Sequence, residues 1–287
     1  MRPLAITATL LALTLAGPAH ARNWLQSYDV TGQPHVQVIT NDGHVRVHTG
    51  PAGKVSVNVL YEVHTWGLKS GAHEPEVMFE HSGVNQVSIT ARSKGYWVMF
   101  GGISERFEID VTVPAECNLE VTSGDGAVDV EPLAGQISLT TGDGRLRATG
   151  LRGTLRLRSG DGGIDATGLD GNLSARTGDG HLVVYGRFDQ LDLRTGDGRL
   201  EASATRGSKL ATDWNLETGD GSLLLRIPRN LQAMLDAHTG DGHIHVDLPV
   251  SVSGGLSGHD LRGQLNGGTI PLRMRTADGS LSLGLAE

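Results

Sequence analysis

Residues 141–180 read TGDGRLRATGLRGTLRLRSGDGGIDATGLDGNLSARTGDG and contain three copies of the motif Thr/Ser-Gly-Asp-Gly. The aspartates of these copies are 18 residues apart, and the same spacing runs from Asp125 to Asp197. A constant period of this size indicates a repeat protein. The motif returns at wider spacing later in the chain. The aspartates of the repeat turns are Asp125, Asp143, Asp161, Asp179, Asp197, Asp220, Asp241 and Asp278.

Each repeat carries apolar residues at alternate positions on both sides of the motif. Ile137 and Leu139 precede Asp143, and Leu146 and Ala148 follow it. Alternation with a period of two predicts two short strands that are joined by the Gly-Asp-Gly turn. The chain contains 41 glycines, about twice the usual share. We expect the glycines of the turns to adopt positive φ.

Two all-β architectures fit this pattern. Asp-Gly between alternating strands is a hairpin signal and would give an antiparallel meander. Alternatively, each repeat of about 18 residues is one two-strand coil of a β-solenoid, a β-helix-like stack in which like residues lie about 4.8 Å apart. The constant period favours the solenoid, because a meander does not need equal spacing.

The chain divides into three segments. Residues 1–21 have the features of a secretory signal peptide: Arg2, an apolar run at residues 4–15 that is too short to span a bilayer, and the cleavage site Ala19-His20-Ala21. Residues 22–115 are predicted to form an N-terminal β region that caps the stack, with an early, isolated coil at residues 36–47. Residues 116–287 are predicted to form the repeat solenoid, continuous with the cap in one structural domain.

Two further segments have less regular patterns. The aromatic segment at residues 94–102 is either part of the cap or an exposed contact site. Between Asp241 and Asp278 the spacing is about two coils long, and we expect one degenerate coil across residues 257–268.

Composition excludes some classes of function. The formal net charge is −8, and the sequence lacks the clustered cations that nucleic-acid binding requires. No run after the signal peptide is long and apolar enough to cross a membrane. The only cysteine, Cys117, cannot form an internal disulfide, and we expect it to be buried. An export signal without a disulfide framework is typical of a bacterial periplasmic or cell-surface protein.

Stacked coils would place the turn aspartates in one row, where neighbours repel by about 1 kcal/mol in a waterlike dielectric. Aspartate side chains can accept hydrogen bonds from turn amides. Arg158, Arg176 and Arg194 precede turn aspartates by three residues and are expected to neutralise the row. Calcium bound between coils is the alternative, although known calcium solenoids have a denser set of acidic ligands. No other cofactor is predicted.

Several of these features together resemble the bacterial putative-adhesin family of β-strand-repeat domains of unknown function, which is related to the head GIN domain family. The features are the export signal, the early Asp42-Gly43 strand pair, the repeated turns, and the ending Asn266-Gly267-Gly268 followed by PLRMRTADG at residues 271–279. The resemblance covers roughly residues 30–287. It implies a β-solenoid or β-helix-like fold and an extracytoplasmic role, and it supplies no catalytic residues.

The first functional hypothesis is a non-enzymatic binding or structural module of the cell envelope, adhesin-like, whose partner is an envelope protein or glycan. Solenoids present extended faces that suit such partners. The predicted contact strip consists of outward-facing residues, namely Arg158, Arg176, Arg194, Arg145, Arg199 and His181.

Two other hypotheses start from smaller sets of residues. A polysaccharide-active enzyme would use Asp129, Arg147 and Asp165, which occupy one slot of successive coils. Charge compensation is the simpler explanation of this alternating row, and no known catalytic motif is present. We therefore predict that the protein is not an enzyme. A histidine metal site would use His238, His243 and His245. Solvated surface histidines are the better explanation of these residues.

Overall fold

The computed structural model describes residues 20–70, 75–93, 97–252 and 258–286, without the side chains of residues 20, 65–70, 97–103 and 252. Within them the chain is all-β and contains no helix, as predicted. The strands are β1 (His20–Asp29), β2 (His35–Thr40), β3 (His44–Gly50), β4 (Lys54–Ser70), β5 (Glu76–Ser82), β6 (Gln86–Arg92), β7 (Trp97–Pro114), β8 (Asn118–Ser123), β9 (Val128–Val130), β10 (Ala134–Thr141), β11 (Leu146–Thr149), β12 (Arg152–Ser159), β13 (Ile164–Thr177), β14 (Leu182–Thr195), β15 (Leu200–Ala204), β16 (Trp214–Thr218), β17 (Leu223–Ile227), β18 (Ala233–Thr239), β19 (Ile244–Val246), β20 (Ser251–Val252), β21 (Asp260–Leu265), β22 (Pro271–Thr276) and β23 (Leu281–Leu285).

Each coil has one strand before and one strand after the Gly-Asp-Gly turn, and like strands of stacked coils pair in parallel. In the first ladder, made of the strands before the turns, Leu139 of β10 pairs with Leu157 of β12. In the second ladder, made of the strands after the turns, Leu146 of β11 pairs with Ile164 of β13. Parallel pairing rules out the antiparallel meander and confirms the predicted β-solenoid.

The order of the coils in space differs from their order in the chain at both ends. The early coil β2–β3 lies between the strands β6 and β7 on one side and the coil β8–β9 on the other. The last coil, β22–β23, lies between β16–β17 and β18–β19. A sequence period alone suggests that each coil stacks on its predecessor in the chain. The coils at the ends do not follow this order. Both edges of the last coil are paired, which protects them from non-native strand addition.

Antiparallel strands close both ends of the stack. At one end β1 pairs with β4, β4 with β7, and β5 with β6, in agreement with the predicted N-terminal β cap. At the other end β21 pairs antiparallel with β18, and β20 with β21. The described part of residues 257–268 is therefore a closing strand and its turn, and the expectation of a degenerate coil there was wrong.

Two predicted features lie wholly or partly outside the described residues. Of the signal peptide at residues 1–21, only His20 and Ala21 are described, at the start of β1. Of the aromatic segment, residues 97–102 belong to β7, and their side chains are outside the described set. The roles of both segments, and the boundary between residues 115 and 116, stay predictions.

The core consists of columns of inward side chains that stack from coil to coil. One column is 0–1 % exposed and contains Leu139, Leu157, Ala175, Leu193, Leu216 and Met274. Each fully buried leucine contributes about 1.5–3 kcal/mol to folding. Since one coil offers only a short apolar face, this burial exists only in the stack. Cys117 is also buried inside, as expected, and burial raises the pKa of its thiol to about 12.

The second glycine of each repeat turn is required by close approach between coils. A Cβ on Gly144, Gly162 or Gly180 would lie 2.1–2.2 Å from the carbonyl oxygen of the equivalent glycine one coil earlier. None of these three glycines has a positive φ, so the expectation was wrong for these turns, although Gly43 of the early Asp42-Gly43 turn has φ of 100°. Positive φ occurs instead at the second turn of the coil, where Gly150 and Gly168 both have φ of 66°.

Hydrogen bonds between stacked coils also hold the repeat turns together. The threonine or serine before each first glycine is buried. From Thr141 to Thr218, its hydroxyl donates to turn carbonyls of the coil stacked below, whereas the Ser123 hydroxyl donates to Gly126 O of its own turn. Thr177 Oγ1 lies 3.2 Å from Gly160 O and 2.8 Å from Gly162 O. The Gly160 amide also donates to Gly142 O at 2.6 Å. A buried hydroxyl needs such partners, because an unpaired one would cost about 1–3 kcal/mol.

Candidate functional site: an arginine strip on the first ladder

The outer face of the first ladder carries a row of cationic side chains. The row is in register from strand to strand, so that Arg158 pairs with Arg176 and Arg176 with Arg194. It continues through Glu217 of β16. The arginine strip, as we call this row, consists of Arg158, Arg176, Arg194, Glu217, Arg275 and His238. Five strand steps of about 4.8 Å give it a length of about 24 Å.

Acidic residues of the neighbouring row and of the strip itself pair with part of the strip. Asp192 accepts from Arg176 at 2.9 Å and lies 3.4 Å from the Arg194 guanidinium. Glu217 lies 3.6 Å from Arg194. These arginines are 44 % and 48 % exposed, so each pair contributes only about 0–1 kcal/mol. A ligand can therefore displace these pairs at small cost.

The part of the strip on β12 carries uncompensated charge. Arg156 and Arg158 point outward from this strand and are exposed. Neither side chain has a hydrogen bond or ion pair within the described part of the chain. This local excess of positive charge stands out in a protein whose formal net charge is −8. It favours an anionic partner, since oppositely charged patches steer association and set orientation.

A shallow groove of about 660 Å³ runs beside the strip. Its lining includes Arg176, Arg194, Glu217, Arg275 and His238 of the strip and the adjacent Thr-Gly segments of the repeat turns. The turn glycines contribute no side chains. The groove therefore combines the charged side chains of the strip with turn backbone.

Two members of the strip, Arg275 and His238, were not predicted from the sequence. Arg275 and His238 precede Asp278 and Asp241 by three residues, as Arg194 precedes Asp197. They join the row because the last coil lies between β16–β17 and β18–β19. The repeat period does not indicate that these coils are neighbours.

The structure separates the remaining residues of the predicted contact strip from these arginines. Arg145, His181 and Arg199 directly precede strands β11, β14 and β15 of the second ladder, on the other side of the turns. Arg145 lies 3.6 Å from Asp165, and His181 Nε2 lies 3.2 Å from the same carboxylate. The six predicted residues thus form two groups on two faces.

The turn aspartates are all exposed, and they form a row along the edge of the stack. Within the described residues, no side-chain hydrogen bond or ion pair involves Asp125, Asp143, Asp161, Asp179, Asp197, Asp220, Asp241 or Asp278. Arg158, Arg176 and Arg194 do not contact them either, and the threonine hydroxyls hold the turns instead. No group of three or more His, Cys, Asp or Glu side chains in the described chain could hold a metal ion. Calcium binding by the row stays the untested alternative.

The row proposed for catalysis extends further than its three sequence-identified members. Asp129, Arg147 and Asp165 are joined by Arg46 and Asp110, because β3 stacks between β7 and β9. The charges alternate along the row. Arg147 lies 3.7 Å from Asp129, and Arg46 lies 3.4 Å from Asp110. Such pairing is what charge compensation between stacked strands requires.

The three candidate metal-binding histidines are not brought together as a set. His238 belongs to the first ladder, where its Nδ1 lies 2.8 Å from Asp260. His245 lies on β19 of the second ladder, and its Nε2 is 2.8 Å from Asp247. His243 precedes β19. Each of the two paired histidines thus has its own carboxylate partner.

Comparison with known proteins gives one family and a set of distant structures. The model of the family described as Toastrack DUF4097 matches residues 54–283. No curated protein matches the chain. Similar solved structures include a putative cell adhesion protein from Clostridium sporogenes, with 12 % identity, a TM-score of 0.32 and coverage of 92 % of this chain and 100 % of that chain. A putative lipid binding protein from Parabacteroides distasonis has 13 % identity, a TM-score of 0.49 and coverages of 92 % and 97 %. A putative adhesin from Parabacteroides merdae has 10 % identity, a TM-score of 0.46 and coverages of 91 % and 96 %. These values are too low to transfer a ligand or an activity.

Among the described residues there is no helix with the length and hydropathy to span a membrane.

Proposed function

The chain belongs to the Toastrack DUF4097 family, and from that premise we propose that it is an exported, non-enzymatic binding module of the bacterial cell envelope. Its contact surface is the arginine strip, and its partner is an anionic envelope protein or glycan. Export is supported by the signal-like residues 1–21, and the site of action is the periplasm or the cell surface.

The observation that carries this proposal is the register of the strip. Arginines on three successive coils form one row, and Arg158 together with the adjacent Arg156 has no internal partner in the described chain. Repeated cations at about 4.8 Å suit an extended anionic partner better than a small ligand, because each coil adds one contact. The pairs that Arg176 and Arg194 make with Asp192 keep these side chains aligned before binding.

Charge reversal tests the proposal. The triple variant Arg158→Glu, Arg176→Glu, Arg194→Glu is compared with Arg145→Glu, Arg147→Glu, Arg199→Glu, which makes the same charge change on the second ladder. Binding to purified envelope fractions, separated into protein and glycan components, is measured at low and high salt. We expect the first variant to lose binding by at least about tenfold and the second to retain it, with wild-type binding weakened by salt.

Two results would contradict the proposal. Equal binding by both variants and the wild type would remove the strip as the contact surface. Glycan turnover that is lost with Arg147→Ala would replace a binding module with an enzyme. Circular dichroism and thermal unfolding of each variant establish that a lost interaction does not arise from a lost fold.

A further inference from the structure

A second recess lies on the outer face of the second ladder, away from the arginine strip. It has a volume of about 560 Å³ and is lined by residues of four stacked strands and the chain's last described residues. Its main side chains are Tyr185, Glu201, Ser203 and Arg226. A volume of this size is in the range of small-ligand sites.

The recess owes its shape to the order of residues in one outward row. Tyr185 pairs with Ser203, and Ser203 pairs with Arg226. The strands that carry the two large side chains are therefore two strand steps apart, about 9.6 Å, and the strand between them carries the small Ser203. The Arg226 guanidinium leans toward Glu201 of this middle strand. A ring stacked on Tyr185 needs a van der Waals separation of about 3.5–4.0 Å, and the position above Ser203 offers room for it.

The tyrosine ring is available to such a ligand. Tyr185 is 50 % exposed, whereas the other aromatic side chains that the structure describes are buried or half-buried. Its stacked neighbours, Thr167 and Ser203, both have small side chains. The face of an aromatic ring is electron-rich and attracts the partly positive C–H groups of a saturated ring.

The polar groups of the slot match a ligand with many hydroxyls and no charge. Arg226 Nη1 donates to Glu201 Oε1 at 2.6 Å, so the two charged residues among the lining groups compensate each other. The guanidinium retains further N–H donors, and the carboxylate retains acceptor positions. The Ser203 and Thr205 hydroxyls add groups that can donate and accept. Adjacent hydroxyls of a sugar present this same mixture of donors and acceptors.

We propose that the Tyr185–Arg226 slot binds one pyranose residue of a neutral oligosaccharide. The ring stacks on Tyr185, and its hydroxyls bond to Glu201, Arg226 and Ser203. This site is independent of the strip, because it lies on the other ladder and selects against charge.

The test uses the folded chain and defined probes. Neutral hexasaccharides of glucose, mannose, galactose and N-acetylglucosamine are compared with oligogalacturonate by saturation-transfer NMR and calorimetry. We expect at least one neutral probe to bind and oligogalacturonate to bind more weakly. Tyr185→Ala should weaken binding by at least about tenfold, whereas Tyr185→Phe should retain it because the ring is kept.

Two further variants separate a filled slot from a damaged fold. Ser203→Trp should abolish binding by occupying the gap without removing a bonding group at Tyr185 or Arg226. Tyr28→Ala, at the partly buried tyrosine of β1, should leave binding unchanged. The proposal is overturned if no neutral probe binds, if oligogalacturonate binds more tightly, or if Tyr185→Ala and Ser203→Trp bind like the wild type.

Discussion

Gly162→Ala tests the close stacking of the repeat turns. A Cβ at this position would lie 2.1 Å from Gly144 O, 2.6 Å from Gly144 C and 2.8 Å from Asp143 O. All three atoms belong to the backbone, so no side-chain rotation relieves the contact. The turn must move by about 1 Å to reach a tolerable separation.

The cost follows from the bonds that this movement would stretch. The amide of Gly160 donates to Gly142 O at 2.6 Å, and the amide of Gly178 donates to Gly160 O at 2.5 Å. Losing two such bonds costs about 1 kcal/mol each, and overpacking adds about 1–3 kcal/mol. The free energy of unfolding should therefore fall by about 3–5 kcal/mol, with a decrease in Tm of roughly 10 °C.

The assay is guanidinium and thermal unfolding, followed by circular dichroism and by tryptophan fluorescence, whose coincidence checks two-state behaviour. Gly284→Ala is the matched control, because nothing lies within 4 Å of its Cβ position and its φ is not positive. We expect this control to be neutral or slightly stabilising, since alanine loses less entropy than glycine. A free energy for Gly162→Ala within about 1 kcal/mol of the wild type would refute the close-approach explanation of the turn glycines.

Four further outcomes are expected. Thr177→Val should destabilise the protein by about 1–2 kcal/mol in chemical denaturation, because it leaves the Gly162 carbonyl without its hydroxyl donor, whereas the exposed Thr167→Val should be neutral. Hydrogen bonds from Arg46 and Arg106 lower the pKa of Glu108 to about 2; a lowered folded-state pKa stabilises above the unfolded value near 4.5 and loses this effect as the pH falls toward 2. Glu108→Gln should therefore cost about 1–2 kcal/mol at pH 7, after allowance for solvent screening, and the difference from the wild type should vanish in denaturation curves near pH 2. Cys117 should resist thiol reagents at pH 8 until the protein unfolds, because burial raises the pKa of the thiol to about 12; rapid labelling of the folded chain would contradict its buried position. Finally, Tm should be the same in about 5 mM calcium as in chelator. This calcium concentration exceeds the Kd of about 1 mM that weak extracellular calcium modules show. A large rise in Tm with calcium would make the aspartate row a metal site.

The inward and outward positions of the repeat could be predicted from the sequence, because they depend on local patterns. Period-two alternation around Asp143 identifies Leu139 and Leu146 as inward, and both are fully buried. The 18-residue period also predicts that Arg158, Arg176 and Arg194 share a row, as their register confirms.

The neighbours of the end coils could not be predicted, for a physical reason. Coils with the same slots offer the same apolar columns and the same strand edges, so any coil can stack on any other. The choice at the ends depends on long-range closure, such as the antiparallel pairing of β21 with one edge of β18. With that edge covered, the other edge of β18 pairs with β22. Arg275 and His238 reach the strip only through this closure.

The residues that hold the repeat turns together differ from those that the sequence predicted. Aspartate is a common turn former, and the sequence suggested that its carboxylate bonds to the turn amides. In the structure the buried Thr177 and its equivalents make the bonds between turns. Their hydroxyls point inward, which the alternation could indicate, but their acceptors lie on a neighbouring coil.

The most direct test of the account is a pair of engineered disulfides in a Cys117→Ser background. Glu217 and Arg275 are paired neighbours, whereas Glu217 and His238 lie two strand steps apart. Adjacent strands, at about 4.8 Å, allow a disulfide, and a separation of about 9.6 Å does not. Mass spectrometry of the oxidised protein should therefore find the crosslink in Glu217→Cys, Arg275→Cys and free thiols in Glu217→Cys, His238→Cys. The reverse result would mean that the coils stack in chain order and that the arginine strip, as described, does not exist.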